Sequence, residues 1–216
     1  MIFRECKNKV DYEGFTRRES ATLVIDLTKD LEVIWKDMHV NVRNKINRAM
    51  RQNVIIKRNQ NYDDFDKIQR SFREKKGIGE AESIEILKKY GTLFVAEIEG
   101  EVLGGVFYLE DDNVMRGWFA ATKRLEADKE KQKIISEANR LIEWEAIKYA
   151  KAKGIKEYDE GGYYTGKETD LQKERINVNK RTLGGELVTR YMYQKDYSIR
   201  YKIAKKIYKL KEEVFK

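Results

Sequence analysis

The chain has 216 residues, 45 Lys and Arg against 37 Asp and Glu, a net charge of +8 and 41% hydrophobic residues. This length favours one domain with a well-filled core, and the hydrophobic content argues against disorder. No apolar run of about 18 residues and no leader-like start is present, so we expect a cytoplasmic protein without a membrane span. A single cysteine, Cys6, and a single histidine, His39, exclude an internal disulfide and disfavour a metal site or a Cys/His catalytic pair.

The positive charge is concentrated in two stretches. Residues 41–58 carry six basic residues and no acid, and residues 195–216 carry eight basic residues against three acids. Such surfaces favour phosphate-rich partners, such as RNA, nucleotide-linked sugars or anionic lipid head groups. A lysine-rich solvated surface without a partner is the alternative.

The first half of the chain alternates strand-like and helix-like patterns. Residues 21–27 are almost continuously apolar, as in a buried strand, and Thr28 is placed to cap a following helix. Between residues 29 and 52, apolar side chains recur at spacings of three and four, which predicts one amphipathic helix with His39 on its surface. The next predicted elements are a strand over 54–58, a helix over 62–76 that ends at Gly77 and a helix over 80–90.

The second half predicts an antiparallel meander followed by alternating helices and strands. Three β-rich runs between residues 92 and 121 are separated by Glu-Gly-Glu and Asp-Asp-Asn turns. The remaining predicted elements are a helix over 131–153, a strand over 155–160 with a glycine-tyrosine turn, a helix over 169–181, a strand over 186–194 and a helix from residue 197. The fold class is therefore α/β (α+β), with a mixed, largely antiparallel sheet and flanking helices. We expect an N-terminal extension over 1–20 and a single domain over 21–216.

Three groups of residues carry a resemblance to a known family. The first group matches a strand that ends in Asp-Leu, with Asp26 and Leu27, and a helix with Arg-x-x-Ile-x-x-Ala, with Arg43, Ile46 and Ala49. It also matches a turn into Val, with Asn53 and Val54. A Trp-Glu-Ala-Ile-Lys-Trp-Ala helix is matched by WEAIKYA from Trp144, and Phe-Lys-x-x-Phe-Gly-Gly is matched from Asn179 to Gly185. The chain thus resembles the FemABX branch of the Gcn5-related N-acyltransferase (GNAT) superfamily. It departs from the pattern at Asn179 and Leu183, which replace the two phenylalanines, and it has room for one of the two usual tandem folds.

The resemblance implies a GNAT-like domain that transfers acyl groups. Members of the family move an amino acid from aminoacyl-tRNA to the amine of a cell-wall peptidoglycan precursor, and relatives use acyl-CoA donors. The implied activity is transfer of an aminoacyl or acyl group to an amine acceptor, without a permanently bound cofactor. A non-catalytic GNAT-like module that binds RNA or an anionic ligand is the alternative, and a homodimer would supply the surface of the missing domain.

The connection between the meander and the central helix bears on the acyl donor. Acetyl-CoA enzymes hold the pyrophosphate with a glycine-containing loop beside a helix N-terminus. Here the connection reads ATKRLEADKEKQK and contains no glycine, which disfavours a conventional CoA pyrophosphate cradle. Lys123, Arg124 and Lys129 are the side chains of this connection that could contact phosphate instead.

The candidate catalytic residues follow from the chemistry of acyl transfer. The amine has to lose a proton, the oxyanion has to be stabilised and the leaving group has to gain a proton. The family match assigns the oxyanion or a tRNA phosphate to Lys180, whose alternative role is to complement a helix end. Asp159 and Glu160 are candidate bases or amine-orienting groups, and Tyr163 and Tyr164 are candidate proton donors. Carboxylates bonded to neighbouring groups and packed tyrosines are the structural alternatives.

The candidate substrate-binding residues are one arginine and three pairs of glycines. Arg43 lies at the margin of a helix face, where it either contacts an anion or caps the sheet edge. Glycine allows a ligand close to the backbone, but tight turns without proline require it as well. The pairs are Gly161 and Gly162, Gly184 and Gly185, and Gly104 and Gly105. The last pair lies within a strand pattern and predicts a bulge or a splayed strand that opens a groove for an acyl chain.

Overall fold

The fold is built on one eight-stranded sheet. The computed structural model describes residues 1–166 and 170–198. Within them, the strands are β1 (Ile2–Cys6), β2 (Thr16–Asp26), β3 (Ile55–Arg58), β4 (Gly91–Ile98), β5 (Glu101–Glu110), β6 (Val114–Thr122), β7 (Glu157–Tyr163) and β8 (Glu186–Gln194). The order across the sheet is β1-β8-β2-β7-β6-β5-β4-β3. Of the neighbouring strands described, only β6 and β7 run parallel, and the other pairs are antiparallel.

Helices cover both faces of this sheet. In the same part of the chain they are α1 (Leu31–Asp37), α2 (Val40–Arg51), α3 (Tyr62–Lys76), α4 (Ile84–Tyr90), α5 (Lys129–Ala152) and α6 (Leu171–Arg181). The larger core lies between the sheet and α1, α2 and α5 and includes Ile46 and Phe94. The smaller core lies under α3 and α4 and includes Phe65 and Leu93. Phe94 and Leu93 enter different cores because successive side chains of a strand point to opposite faces.

The predicted fold class, a mixed and largely antiparallel sheet with flanking helices, is confirmed. The meander β4-β5-β6, the central helix α5 and strand β8 lie where the sequence predicts them, and α3 ends at Gly77 in a left-handed conformation with φ of 62°. No helix among residues 1–166 and 170–198 is long and apolar enough to cross a membrane. The helix predicted from residue 197 lies, apart from its first two residues, outside the described chain.

The single helix predicted over residues 29–52 is divided into α1 and α2. Asp30, rather than Thr28, precedes the first helical residue, and the break lies at Met38, which is extended with ψ of 140°. His39 then caps α2, because its Nδ1 accepts a hydrogen bond from the Asn41 amide at 3.2 Å. The apolar pattern does not reveal this break, because the buried residues Ile34, Met38 and Val42 keep the helical spacing of four across it.

The N-terminal residues join the sheet earlier than predicted. Strand β2 begins at Thr16, five residues before the predicted strand, and pairs with β8 from Thr16–Gln194 to Val24–Glu186. Strand β1 was not predicted and pairs with the other side of β8. Residues 16–20 read TRRES and are largely exposed, so no apolar alternation marks them as a strand.

Candidate functional site

A cleft opens where β6 and β7 separate. The two strands pair only over Val114–Arg116 and Glu157–Asp159, after which β6 stays paired with β5 and β7 stays paired with β2. The gap has a volume of about 320 Å³, and its walls include Trp118, Asn139, Glu143, Glu160 and Lys180. Crevices at the carboxyl ends of diverging strands are common ligand sites in sheets flanked by helices.

Two β-bulges line this cleft. In β6, Trp118 is an extra residue between the pairs Phe107–Phe119 and Tyr108–Gly117. In β7, Glu160 and Gly161 together oppose the single residue Leu23 of β2. Bulges of this kind redirect side chains and are frequent beside functional sites. The predicted glycine-tyrosine turn is therefore wrong, since β7 continues to Tyr163 as a bulged strand.

Gly161 occupies a position that other residues fit poorly. Its φ is +78°, and a Cβ built on it would lie 3.1 Å from the Gly117 carbonyl oxygen. Left-handed conformations with close backbone contact favour glycine. Gly162, by contrast, has no heavy atom within 4 Å of a Cβ position and is exposed. Only Gly161 of this pair is thus required by the local geometry.

Asp159 lies beneath the cleft and holds the β7 bulge in place. Its buried carboxylate accepts hydrogen bonds from the Gly161 amide and from Arg116 Nη1, both at 2.7 Å, and from the hydroxyl of Thr22. Arg116 also contacts Glu5 at 2.8 Å. Because both carboxylate oxygens are engaged in these bonds, the carboxylate of Asp159 positions the bulge.

Of the two adjacent acids, Glu160 is the one that lines the cleft. Its Oε1 is buried and has no hydrogen-bond partner among the described residues. Burial raises the pKa of Glu160 well above its ordinary value, and the nearby Glu143 raises it further, while Arg140 and Lys180 oppose the shift. Arg140 is committed elsewhere, since it bonds Glu143 at 2.6 Å and the Asn179 carbonyl at 2.8 Å. A protonatable group with a raised pKa in a cleft is typical of functional sites.

The raised pKa of Glu160 predicts a pH-dependent difference between the native protein and a Glu160→Gln variant. Below pH 4.5, its ordinary pKa, the carboxyl is protonated in both the folded and unfolded chain. Between that pH and the folded-state pKa, only the unfolded chain loses the proton, so the native protein loses stability relative to the variant. We expect a slope of up to about 1.4 kcal/mol per pH unit in this window. Urea unfolding of both proteins from pH 4 to pH 8 measures it.

A matched control for this measurement lies on α5. Glu145 pairs with Lys148 at 2.6 Å on the partly exposed side of the helix. Glu145→Gln should not reproduce the pH-dependent difference. Equal pH profiles for the native protein and Glu160→Gln would contradict the raised pKa.

Lys180 anchors the same bulge from the end of α6. Its Nζ donates to the carbonyl oxygens of Glu160 and Gly162, both at 2.8 Å. Burial lowers the pKa of Lys180, and the charges of Glu160 and Asp159 oppose this shift. An ammonium group has three N–H donors. Two of them hold β7, and the third has no partner among the described residues and is the one that a ligand can use.

The two candidate tyrosines pack beside α6 and do not line the cleft. Arg181 lies over the ring of Tyr163, 5.2 Å from its centre, and Lys173 lies over the ring of Tyr164 at 4.8 Å. The backbone of Tyr164 exchanges two hydrogen bonds with the side chain of Asn177, which is buried. The tyrosines that do line the cleft are Tyr108 and Tyr158, whose hydroxyl oxygens are 3.1 Å apart.

The remaining candidates lie away from the cleft. Arg43 donates to the carbonyls of Trp35, Lys36 and Met38, so it caps the C-terminus of α1. Gly104 and Gly105 are buried beside the β4–β5 bulge, and a Cβ on either would come within 2.7 Å of a neighbouring carbonyl oxygen. They allow strands and helix to pack closely and open no groove. Gly184 and Gly185 turn the chain from α6 into β8, and Gly185 lines a separate cavity of about 430 Å³.

A basic cluster lies beside the start of α5. A second cavity of about 720 Å³ shares Ala120, Asn139, Ile176 and Asn179 with the cleft and extends to Arg124. Next to it, the side chains of Lys45, Arg48, Arg124, Lys129 and Lys133 line a third cavity of about 400 Å³. Burial lowers the pKa of Lys45, and the charges of Arg140, Arg124 and Arg48 lower it further. Like charges held this close favour an anionic ligand.

The structure changes which side chains of the connection can contact phosphate. Lys123 bonds Glu101 at 2.9 Å, so it is already neutralised. Asp128 caps α5 and accepts a hydrogen bond from the Lys131 amide, so a carboxylate occupies the helix N-terminus. An anion there would be held by the side chains of the basic cluster. No group of three or more His, Cys, Asp or Glu in residues 1–166 and 170–198 is placed to hold a metal ion.

Several residues of the site were missed in the sequence. Arg140 and Glu137 are charged but lie within the apolar stripe of α5 and are buried. Charged side chains inside an apolar helical stripe signal paired or functional groups and could have drawn attention to α5. No comparable signal marks Thr22 or Arg116, because only the tertiary fold brings them to Asp159.

Comparison with solved structures identifies the fold. FemX aligns with a TM-score of 0.68 and 11% identity over 94% of this chain and 68% of its own. The C-terminal DUF2156 domain of a protein described as a lysylphosphatidylglycerol synthetase, from Agrobacterium fabrum, aligns with a TM-score of 0.63 and 10% identity over 85% of this chain and 62% of its own. L-PGS from Bacillus licheniformis aligns with a TM-score of 0.58 and 10% identity, over 88% and 65% respectively.

The chain has a FemABX/GNAT-like fold. No protein-family model matches the sequence, and no curated protein matches it. The chain spans less than two thirds of the Agrobacterium and Bacillus proteins. This similarity describes the fold alone, so the function and the substrate have to be argued from the site.

Proposed function

We propose that this protein is an acyltransferase that moves an aminoacyl or acyl group from aminoacyl-tRNA, or from a CoA thioester, to an amine. The observation that carries the proposal is the cleft between β6 and β7, where the free carboxylate oxygen of Glu160 lies close to Lys180. Such a pair offers a proton acceptor and an N–H donor at one place. A peptidoglycan precursor is the acceptor that the resemblance to the FemABX branch suggests.

The proposed reaction is a simple exchange at a carbonyl carbon. The amine nitrogen attacks this carbon, a C–N bond forms, and the C–O bond of the ester or the C–S bond of the thioester breaks. Glu160 receives the proton that the neutral amine loses on attack and passes it to the leaving oxygen or sulfur, so that no net proton is consumed. The third N–H of Lys180 is the donor that stabilises the developing oxyanion.

The basic cluster supports a donor that carries phosphate. Arg124 lines both the second cavity, which shares four lining residues with the cleft, and the third cavity, which is also lined by Lys45, Lys129 and Lys133. A donor whose acyl end reaches Glu160 would place its phosphates near these side chains.

A non-catalytic module that binds RNA or another anion is the second candidate. Lys180 favours it, because two of its three N–H donors are already bonded to the carbonyls of Glu160 and Gly162. A lysine used in this way stabilises the bulge without any chemistry. The basic cluster would then be the whole functional surface.

The two candidates are separated by a donor-consumption assay. Purified protein is mixed with radiolabelled alanyl-tRNA or acetyl-CoA, with and without a primary amine. The transferase hypothesis predicts amine-dependent loss of one donor, slowed by Lys180→Met and unaffected by Lys148→Met on the outer side of α5. Loss of neither donor, together with salt-sensitive RNA binding, would refute catalysis and favour the binding module.

A further inference from the structure

Two buried hydrogen-bond acceptors on residues that line the cleft have no partner within residues 1–166 and 170–198. They are Oε1 of Glu160, on the β7 bulge, and Oδ1 of Asn139, on α5. Both residues line the cleft, and Asn139 also lines the second cavity that continues from it. Leaving a buried acceptor unpaired costs about 1–3 kcal/mol, more when it is charged. Two such groups on one cleft indicate a ligand that supplies donors.

No donor of the described residues reaches these two acceptors. Arg140 donates to Glu143, to both oxygens of Asn179 and to Thr182 instead. Lys180 uses two of its three N–H groups on backbone carbonyls, and the third makes no described bond to Glu160. The unmet requirement at the two acceptors is for N–H or O–H donors, and a positive charge on the ligand would match the Glu160 carboxylate.

The walls of the cleft suit a small cation. Tyr108 and Tyr158 are buried, with ring centres 5.8 Å apart, and Trp118 is 47% exposed on the bulge of β6. Aromatic faces attract ammonium groups, and a neighbouring carboxylate adds a charged hydrogen bond. A carboxylic acid whose pKa is raised by burial regains its charge when a cation binds beside it.

We propose that the cleft binds the primary ammonium group of its substrate, with Glu160 and Asn139 as acceptors. This inference rests on the proposed transferase function and deepens it, because it selects a substrate with a free amine over one that carries only a neutral acyl group. The ammonium belongs either to the aminoacyl group being transferred or to the amine acceptor before it loses its proton. Both sources share the same three N–H donors.

The test is a binding titration with matched small probes, followed by ligand-observed NMR. L-alaninamide represents an aminoacyl group, and propionamide has the same skeleton without the ammonium. Butylammonium represents an acceptor amine, and butanol is its neutral counterpart. We expect millimolar binding of at least one ammonium probe, as is usual for ligands of so few atoms, and weaker binding of its neutral counterpart. The ammonium probe that binds more tightly shows whether the cleft takes the ammonium of the aminoacyl group or that of the acceptor amine.

Variants assign the binding to the two acceptors. Glu160→Gln should weaken the ammonium probe by about tenfold while leaving the neutral probe unchanged. Asn139→Leu should weaken it as well, and Glu145→Gln on the outer side of α5 should not. Equal affinity for charged and neutral probes, no binding of either ammonium probe, or binding that survives Glu160→Gln would overturn the proposal.

This experiment is independent of turnover. The probes need no acyl donor, so selective ammonium binding in a protein that consumes neither alanyl-tRNA nor acetyl-CoA would support the binding site and refute only the transferase function. Conversely, amine-dependent turnover without preference for the ammonium probes would retain the transferase function and overturn only the site assigned to Glu160 and Asn139.

Discussion

Replacement of Asp159 by alanine should lower the free energy of unfolding by about 3 kcal/mol, because it removes one side of a buried ion pair. The Asp159 carboxylate is buried and binds Arg116, the Gly161 amide and the Thr22 hydroxyl. Without it, the Gly161 amide loses its acceptor and the bulge that carries Glu160 loses its main support. Urea unfolding at neutral pH measures the effect.

Two further variants give this result a specific meaning. Asp159→Asn keeps an acceptor for the bulge but loses the charge opposite Arg116, so it should fall between the native protein and Asp159→Ala. Asp112→Ala removes an exposed carboxylate from the β5–β6 turn and should change stability by less than about 0.5 kcal/mol. A loss of less than about 1 kcal/mol in Asp159→Ala would mean that the buried network does not hold the bulge.

The second large effect is expected for Gly185→Ala, which should also cost about 3 kcal/mol. Gly185 has φ of +87°, where an L-residue is strained by about 1–2 kcal/mol. A Cβ would in addition lie 2.6 Å from the carbonyl oxygen of Val24, a backbone atom in the paired strand β2. The clash can be relieved only by moving β8 away from β2. Thermal and urea unfolding both measure the loss.

Gly154 provides a close control for this variant. Its φ of +86° is almost the same, but nothing lies within 4 Å of a Cβ built on it. Gly154→Ala should therefore show the cost of the conformation alone, about 1 kcal/mol. If the two alanine variants lose equal stability, the contact with Val24 does not matter.

The sequence predicts those parts of the fold whose side-chain patterns are local. Local sequence patterns predict α3 and α5 from their periodic apolar residues and the meander from its β-rich runs. Gly77 predicts the end of α3, because glycine readily adopts the left-handed conformation found there. The break before α2 could not be predicted in this way. It depends on a hydrogen bond that His39 accepts and on hydrogen bonds that Arg43 donates, and neither changes the apolar spacing.

The candidate site was only partly predictable for the same reason. Asp159, Glu160 and Gly161 are adjacent in the chain, so a strand end near them was enough to suggest a site. Whether a carboxylate is bonded or free depends on residues far away in sequence. Arg116 bonds Asp159, whereas Oε1 of Glu160 has no partner in the part of the chain that the structure describes, and no local pattern distinguishes these two acids.

The short parallel contact between β6 and β7 has a consequence for how the protein folds. It joins two half-sheets. The half-sheet of β3 to β6 is continuous in sequence apart from its helices. In the other, β2 pairs with β7 and β8 across some 140 to 170 residues of intervening chain, as in Thr22–Gly162 and Thr22–Val188. Contacts of such long range carry the entropy cost of closing large loops and form slowly. The cleft exists only once both half-sheets are assembled, so a chain able to bind a ligand there has already completed its slowest pairing.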